Sequence, residues 1–171
     1  MAAEIRRRLR GAIEEHLASR DVTRVIYGSV IGLALVVALE SHPPTAIQAT
    51  VAVAATALAM GFAEAYSEIV GGEARTRRPA GPTQLRTAAL EACAVSFGAG
   101  FPVVFFALAA AGAMGLDTAF TVSKWTGLGL ICAYGFVAGR VSGSGVGASL
   151  LHAAAVGAIG GGLIALKALL H

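Results

Sequence analysis

Residues 57–73, Ala-Leu-Ala-Met-Gly-Phe-Ala-Glu-Ala-Tyr-Ser-Glu-Ile-Val-Gly-Gly-Glu, decide how this chain is read. They continue an apolar run that begins near Ala46, the pattern of a membrane-spanning helix, yet Glu64 and Glu68 lie within it. Met60, Glu64 and Glu68 are spaced i, i+4, i+8 and stack along one helical face. A carboxylate in hydrocarbon costs about 2.5–3.5 kcal/mol on insertion scales. Such residues therefore face a bundle interior, a water cavity or an ion path.

The rest of the composition agrees with a membrane setting. Of 171 residues only 13% are charged, against about 25% in soluble domains, and the mean hydropathy is +0.73. Long Ala- and Gly-rich apolar runs separated by short polar joints are the pattern of a polytopic helical protein. The length allows one domain. The net charge of +3 is small and confined to the joints, which argues against nucleic acid as a partner and makes it a topology signal. Cys93 and Cys132 both fall inside apolar runs and read as small buried hydrophobes, not a disulfide framework. The basic N-terminus is followed by Glu14, Glu15 and His16, so it is not a secretory signal, and the first span is expected to be an uncleaved anchor.

Working outward, residues 1–20 are expected to form an amphipathic helix, with Ile5, Leu9, Ile13 and Leu17 at i+4 steps on one face. That face suits either the cytosolic lipid surface or the protein's own cytosolic side. The transmembrane domain, residues 21–171, is all-α with five expected spans, at about 22–39, 46–72, 87–115, 118–139 and 146–170. Asp21 is the expected N-cap of the first, and Gly28 and Gly32 permit a close helix approach there. Pro43 and Pro44 separate the first two spans, and a short basic joint, residues 73–86, separates the second and third. Pro102 should kink the third, and Leu116 and Asp117 are read as the tight joint after it. Lys124 and Trp125 suit the membrane interface at the start of the fourth span. Residues 140–145 turn the chain into the fifth, which carries His152 and Gly160-Gly161-Gly162.

Arginines cluster before the first span, between the second and third, and at Arg140, while the alternate joints around residues 40–45 and Asp117 have no Lys or Arg. The positive-inside rule then places the N-terminus in the cytoplasm and the C-terminus outside. In that orientation Glu64, Glu68 and Glu91 all lie in the inner half, with Met60 one turn deeper than Glu64. Three carboxylates and a thioether suit Mn or Fe, and carboxylates alone suit a proton relay. The competing reading is that Glu68 and Glu91 reach the headgroup zone, Met60 packs, and His152 is interfacial. No phosphate loop, HExxH, nucleophile elbow or paired CxxC is present, so an enzyme is not expected.

Several stretches resemble the vacuolar iron transporter (VIT) family. They are Arg24-Val-Ile-Tyr-Gly-Ser-Val-Ile-Gly32, Ala59-Met-Gly-Phe-Ala-Glu-Ala-Tyr-Ser67, Ser96-Phe-Gly-Ala-Gly-Phe-Pro-Val103 and Gly135-Phe-Val-Ala-Gly-Arg140. The second of these, with a Met and a Glu four residues on, is the most specific. The resemblance runs from about Asp21 onward. It implies a five-helix homodimer with a metal path near its axis, lined by Met60 and Glu64, with Glu68 and Glu91 guiding ions at the cytosolic mouth. It further implies export of Fe2+ or Mn2+ from the cytoplasm in exchange for protons, across a bacterial-type plasma membrane, with no permanently bound cofactor. Two features depart from the family pattern. Ile31 stands where the first helix normally carries an Asp, and the joint after the second span is short and basic where plant and yeast members insert a Glu-rich segment. The alternative expectation is a VIT-like membrane protein that moves no metal and serves a structural or partner-binding role.

Overall fold

The computed structural model describes residues 20–170; the expected amphipathic helix of residues 1–20 lies outside them except for Arg20. Within the described residues the chain is 86% helix and has no strand. Six helices follow in order: α1 (Arg20–Ser41), α2 (Ala46–Thr76), α3 (Pro82–Gly100), α4 (Val103–Ala110), α5 (Leu116–Val141) and α6 (Val146–Leu170). Helix α1 is already formed at Arg20, so Asp21 is not its N-cap as expected.

Each break has a local cause. After Pro43 and Pro44, Thr45 caps α2: its hydroxyl accepts from the Gln48 amide, and the Gln48 side chain accepts from the Thr45 amide. This reciprocal box satisfies two of the orphan donors at the helix start. Thr45→Ala is expected to lower stability by about 1 kcal/mol, read as a fall in the thermal midpoint by circular dichroism. The pair Gly71-Gly72 does not end α2, which runs to Thr76. It stops where Arg77 turns into the left-handed region at φ 53°, its amide donating to Glu73 O at 2.7 Å. Gly72 instead admits the Gln84 side chain, whose Nε2 donates to Ile69 O at 3.2 Å and ties α3 back to α2.

The third expected span is two helices. Pro102 has no N–H to continue the ladder, and α3 and α4 meet there at 50°. The bend swings Phe106 into a core with Val36, Ala49, Val53, Ala119 and Phe120. Phe106 and Phe120 pack edge to face, centroids 4.9 Å apart. Helix α4 ends at Ala110, and the joint is residues 111–115, with Gly112 at φ 77°. Leu116 and Asp117, expected as that joint, form the first turn of α5. The turn at residues 142–145 falls where it was expected, with Gly143 at φ 77°.

Small residues set the packing. A Cβ on Gly28 would collide with the Val95 carbonyl, one on Gly98 with the Val25 carbonyl, and one on Gly32 would lie 2.7 Å from Ala99 O. Gly28 pairs with residue 95 and Gly32 with residue 99, so α1 and α3 run parallel with their backbones in contact, as the small-xxx-small spacing allows. Helices α2 and α3 are antiparallel, and the Ser96 hydroxyl donates to Ala57 O at 3.0 Å beside Gly61. Helices α5 and α6 are antiparallel, with Gly139 against Ser149 and Gly135 against Ala153. Helix α1 touches both pairs and is the element between them.

The outer surface is apolar. Ile47, Val51, Leu58, Phe62 and Tyr66 on α2, and Leu150, Leu151, Ile159 and Leu166 on α6, are all exposed. A soluble monomer rarely exposes such extended apolar faces, whereas lipid covers them without cost. Three helices, α1, α2 and α6, are long and apolar enough to cross a membrane, and α3 with α4 makes a fourth if the bent pair is one span. Helix α5, the fourth of the five expected spans, is long enough at 26 residues but is not among them. Asp117, Lys124, Arg140 and its glycines lower its hydropathy.

Candidate functional site

One side chain sits among the glutamates singled out above. Arg24, in the second turn of α1, places Nε 2.7 Å from Glu64 Oε1. Its Nη2 lies 2.6 Å from Glu91 Oε2 and 3.6 Å from Glu68 Oε2. Helices α1, α2 and α3 thus contribute one guanidinium and three carboxylates to a single cluster. Glu91 is buried at 2% exposure, while Arg24, Glu64 and Glu68 keep about a fifth to a quarter of their side-chain surface. Arg75 reaches back along α2 to Glu68 at 3.4 Å and is itself exposed. The cluster therefore grades from a buried floor at Glu91 to a half-buried side at Glu64 and Glu68.

Its position follows from the packing. Arg24 is four residues before Gly28, and Glu91 is four residues before Val95. Parallel helices in backbone contact at Gly28 and Val95 bring the residues one turn earlier face to face. Glu64 is 18 residues beyond the start of α2, about 27 Å along the helix at 1.5 Å per residue. A hydrocarbon core is about 30 Å thick, so the cluster lies near one boundary of the apolar zone and not at mid-depth.

The sequence reading assigned Met60, Glu64, Glu68 and Glu91 to a cation path. The structure brings the three glutamates together, and the cation among them is the guanidinium of Arg24. Met60 is partly buried one turn farther along α2. Among the described residues no group of three or more His, Cys, Asp or Glu is arranged to hold a metal ion. Ile31 is partly buried on α1, about two turns beyond Arg24. Cys93 is exposed and Cys132 partly buried, and a Cβ on Gly157 would meet the Cys132 sulfur at 2.6 Å. His152 is exposed, its Nδ1 3.0 Å from Ala148 O.

Arg24 was read as a topology charge flanking the first span, and its role in the site was missed. The signal was present: Arg24, Gly28 and Gly32 share one helical face, so the arginine had to point where the small residues pack. A second cluster was missed as well. At the far end of α1, Glu40 accepts from Lys124 on α5 and Lys167 on α6.

Among the described residues, the cluster brings three carboxylates to the Arg24 guanidinium, with Arg75 as a looser outer partner of Glu68. Carboxylates gathered in this way are hard oxygen donors that can take up a proton or a divalent cation. Comparison of the chain with family models, with curated proteins and with solved structures gave no match.

Proposed function

We propose that the chain is a VIT-like membrane transporter, not an enzyme, that exports a divalent transition metal, Fe2+ or Mn2+, from the cytoplasm in exchange for protons. The observation that carries this reading is the convergence of Glu64, Glu68 and Glu91, from two helices, on one cluster near an end of the apolar zone. In this reading the five expected spans include α5, whose Lys124 is paired with Glu40 and whose Ser123 is buried in the bundle. The N-terminus is cytoplasmic, the membrane is the plasma membrane, and two copies pair so that their Glu64 side chains approach one another. The carboxylates draw a cation to the half-buried side of the cluster, and Arg24 swings off Glu64 to admit it. Met60 then offers sulfur one turn deeper. Protons taken up by the carboxylates on the return step neutralise the cluster once the metal has left. The short basic joint of residues 77–81 takes no part in collecting metal.

A second reading has its own support. Arg24 occupies the place of the cation, and Ile31 stands where the resembling family has an Asp. A guanidinium fixed there would make the cluster a structural clamp in a membrane scaffold. Flux separates the two. Proteoliposomes holding a metal-quenched dye, with a pH gradient imposed, are expected to take up Fe2+ or Mn2+ through the wild-type chain. Glu64→Gln is expected to reduce uptake to the protein-free rate, because it removes the carboxylate next to Met60 on the proposed path and leaves Arg24 to Glu68 and Glu91. Absence of uptake by folded wild-type protein in both gradient directions would discard the transport reading in favour of the scaffold.

A further inference from the structure

The end of the bundle away from Arg24 holds the charge imbalance of opposite sign. Glu40 Oε1 lies 2.6 Å from Lys124 Nζ, and Glu40 Oε2 lies 2.5 Å from Lys167 Nζ. The three side chains come from α1, α5 and α6 and are each about four-fifths covered by the protein. Among the described residues, one carboxylate against two ammonium groups leaves a formal charge of +1. Each ammonium carries three donors, and each Glu40 oxygen is matched to one lysine. Donors therefore exceed the acceptors that Glu40 supplies, in surroundings where an uncompensated charge is costly. Glu40 also holds the two ammonium groups apart at a fixed spacing, one on each of its oxygens.

The location supplies the second half of the argument. Glu40 is in the last turn of α1, Lys167 in the last turn of α6, and Lys124 in the early turns of α5, so the cluster opens at one rim of an apolar bundle. Trp125, adjacent to Lys124, is 65% exposed and is the chain's single tryptophan. An exposed tryptophan on an otherwise lipid-covered surface sits at headgroup level. What lies at that level around a protein of this kind is phosphate.

We propose that Lys124 and Lys167 form a site for a phosphate oxyanion presented by an anionic phospholipid headgroup, with Glu40 as the spacer that sets the distance between the two ammonium groups. The site is independent of whether the acidic cluster at the other end passes a cation. A negatively charged headgroup balances the formal charge and takes up the free N–H donors, and its acyl chains run along the exposed apolar face of α6. Zwitterionic headgroups bring their own cation to the same place and bind less well.

Trp125 makes the site measurable in the full chain. The protein is reconstituted in phosphatidylcholine vesicles containing phosphatidylglycerol, with bromine on the acyl chains of one lipid or the other, and quenching of Trp125 reports which lipid lies beside it. Brominated phosphatidylglycerol is expected to occupy that position with about fivefold preference, the effect of one basic residue at a membrane surface. Lys167→Gln should reduce the preference to near unity and Lys167→Arg should retain it. Glu40→Gln should increase the preference, since it removes the internal anion that competes for the lysines, a change of sign that general loss of structure would not give. Inorganic phosphate added at millimolar level distinguishes the source. No effect on the preference assigns the oxyanion to lipid; loss of the preference assigns the same site to soluble phosphate. Equal quenching by both lipids in the wild type, or an unchanged preference in Lys167→Gln, overturns the proposal.

Discussion

Replacing Arg24 with Gln is expected to lower the unfolding free energy by about 3–5 kcal/mol, the usual cost of removing one partner from a buried ion pair. The change takes a positive charge from beside Glu91, at 2% exposure, while Glu64 and Glu68 stay close to it through the packing of α2 on α3. Gln at position 24 keeps two N–H donors but is shorter and uncharged, so it neither balances the carboxylates nor reaches those that Nη2 contacts. The measurement is the chemical or thermal unfolding midpoint of the purified chain in detergent micelles. Adding Glu91→Gln to Arg24→Gln should restore part of the loss, because it removes the buried charge that made the first change costly. Non-additivity of that sign is the mark of a direct pair. A loss well below 1 kcal/mol for Arg24→Gln would mean that the guanidinium is readily exchanged for water, and that the cluster holds no structural ion pair.

The second large effect is expected at the crossing of α1 and α3. Gly28→Ala adds a methyl group directly against the Val95 carbonyl oxygen, and Gly98→Ala adds one against the Val25 carbonyl. Both obstacles are backbone, so no rotamer change relieves them and the helices must separate. Overpacking costs typically 1–3 kcal/mol, and about 3 kcal/mol is expected for either substitution. Gly129→Ala is the matched control: a Cβ there meets nothing within 4 Å. It is expected to stabilise by up to about 1 kcal/mol through helix propensity alone. Thermal midpoints of the three variants should therefore move in opposite directions for the same chemical change. The separation forced by Gly28→Ala also pulls Arg24 from Glu91, one turn away, so it should reduce any metal flux as well as stability. Equal, small shifts at all three positions would show that α1 and α3 do not meet at backbone distance.

The helices and their ends were legible because the determinants are local. Apolar runs of membrane length, the pair Pro43-Pro44, Pro79 and Pro82, and the Ser/Gly turn at residues 142–145 each act within a few residues of themselves. Pro102 predicted the bend for the same reason. The failures were also physical. The second span is expected to end near Gly72, but the helix continues to Thr76, with Gln84 packed on Gly72. Leu116 and Asp117 are expected as a joint, yet the chain has already turned at Gly112 and they open α5. Helix α5 was counted as a span from its length, while its lysine, aspartate, arginine and glycines keep it from being apolar enough by hydropathy alone.

The sequence by itself therefore determined an all-helical membrane protein, the breaks at Pro43-Pro44 and Pro102, and that Glu64 and Glu68 share one helix face. It also determined, through Gly28 and Gly32, that α1 makes a close backbone contact. Only the tertiary structure decided what met those residues. Charge is written into a helix one residue at a time, but its partner is chosen by which helix packs alongside and in what register. The register of α1 on α3 put Arg24 among three glutamates, and the arrival of α5 and α6 at the far end of α1 put two lysines on Glu40. Neither pairing is a property of any one segment, because each joins residues on separate helices that only the packed bundle brings within 4 Å.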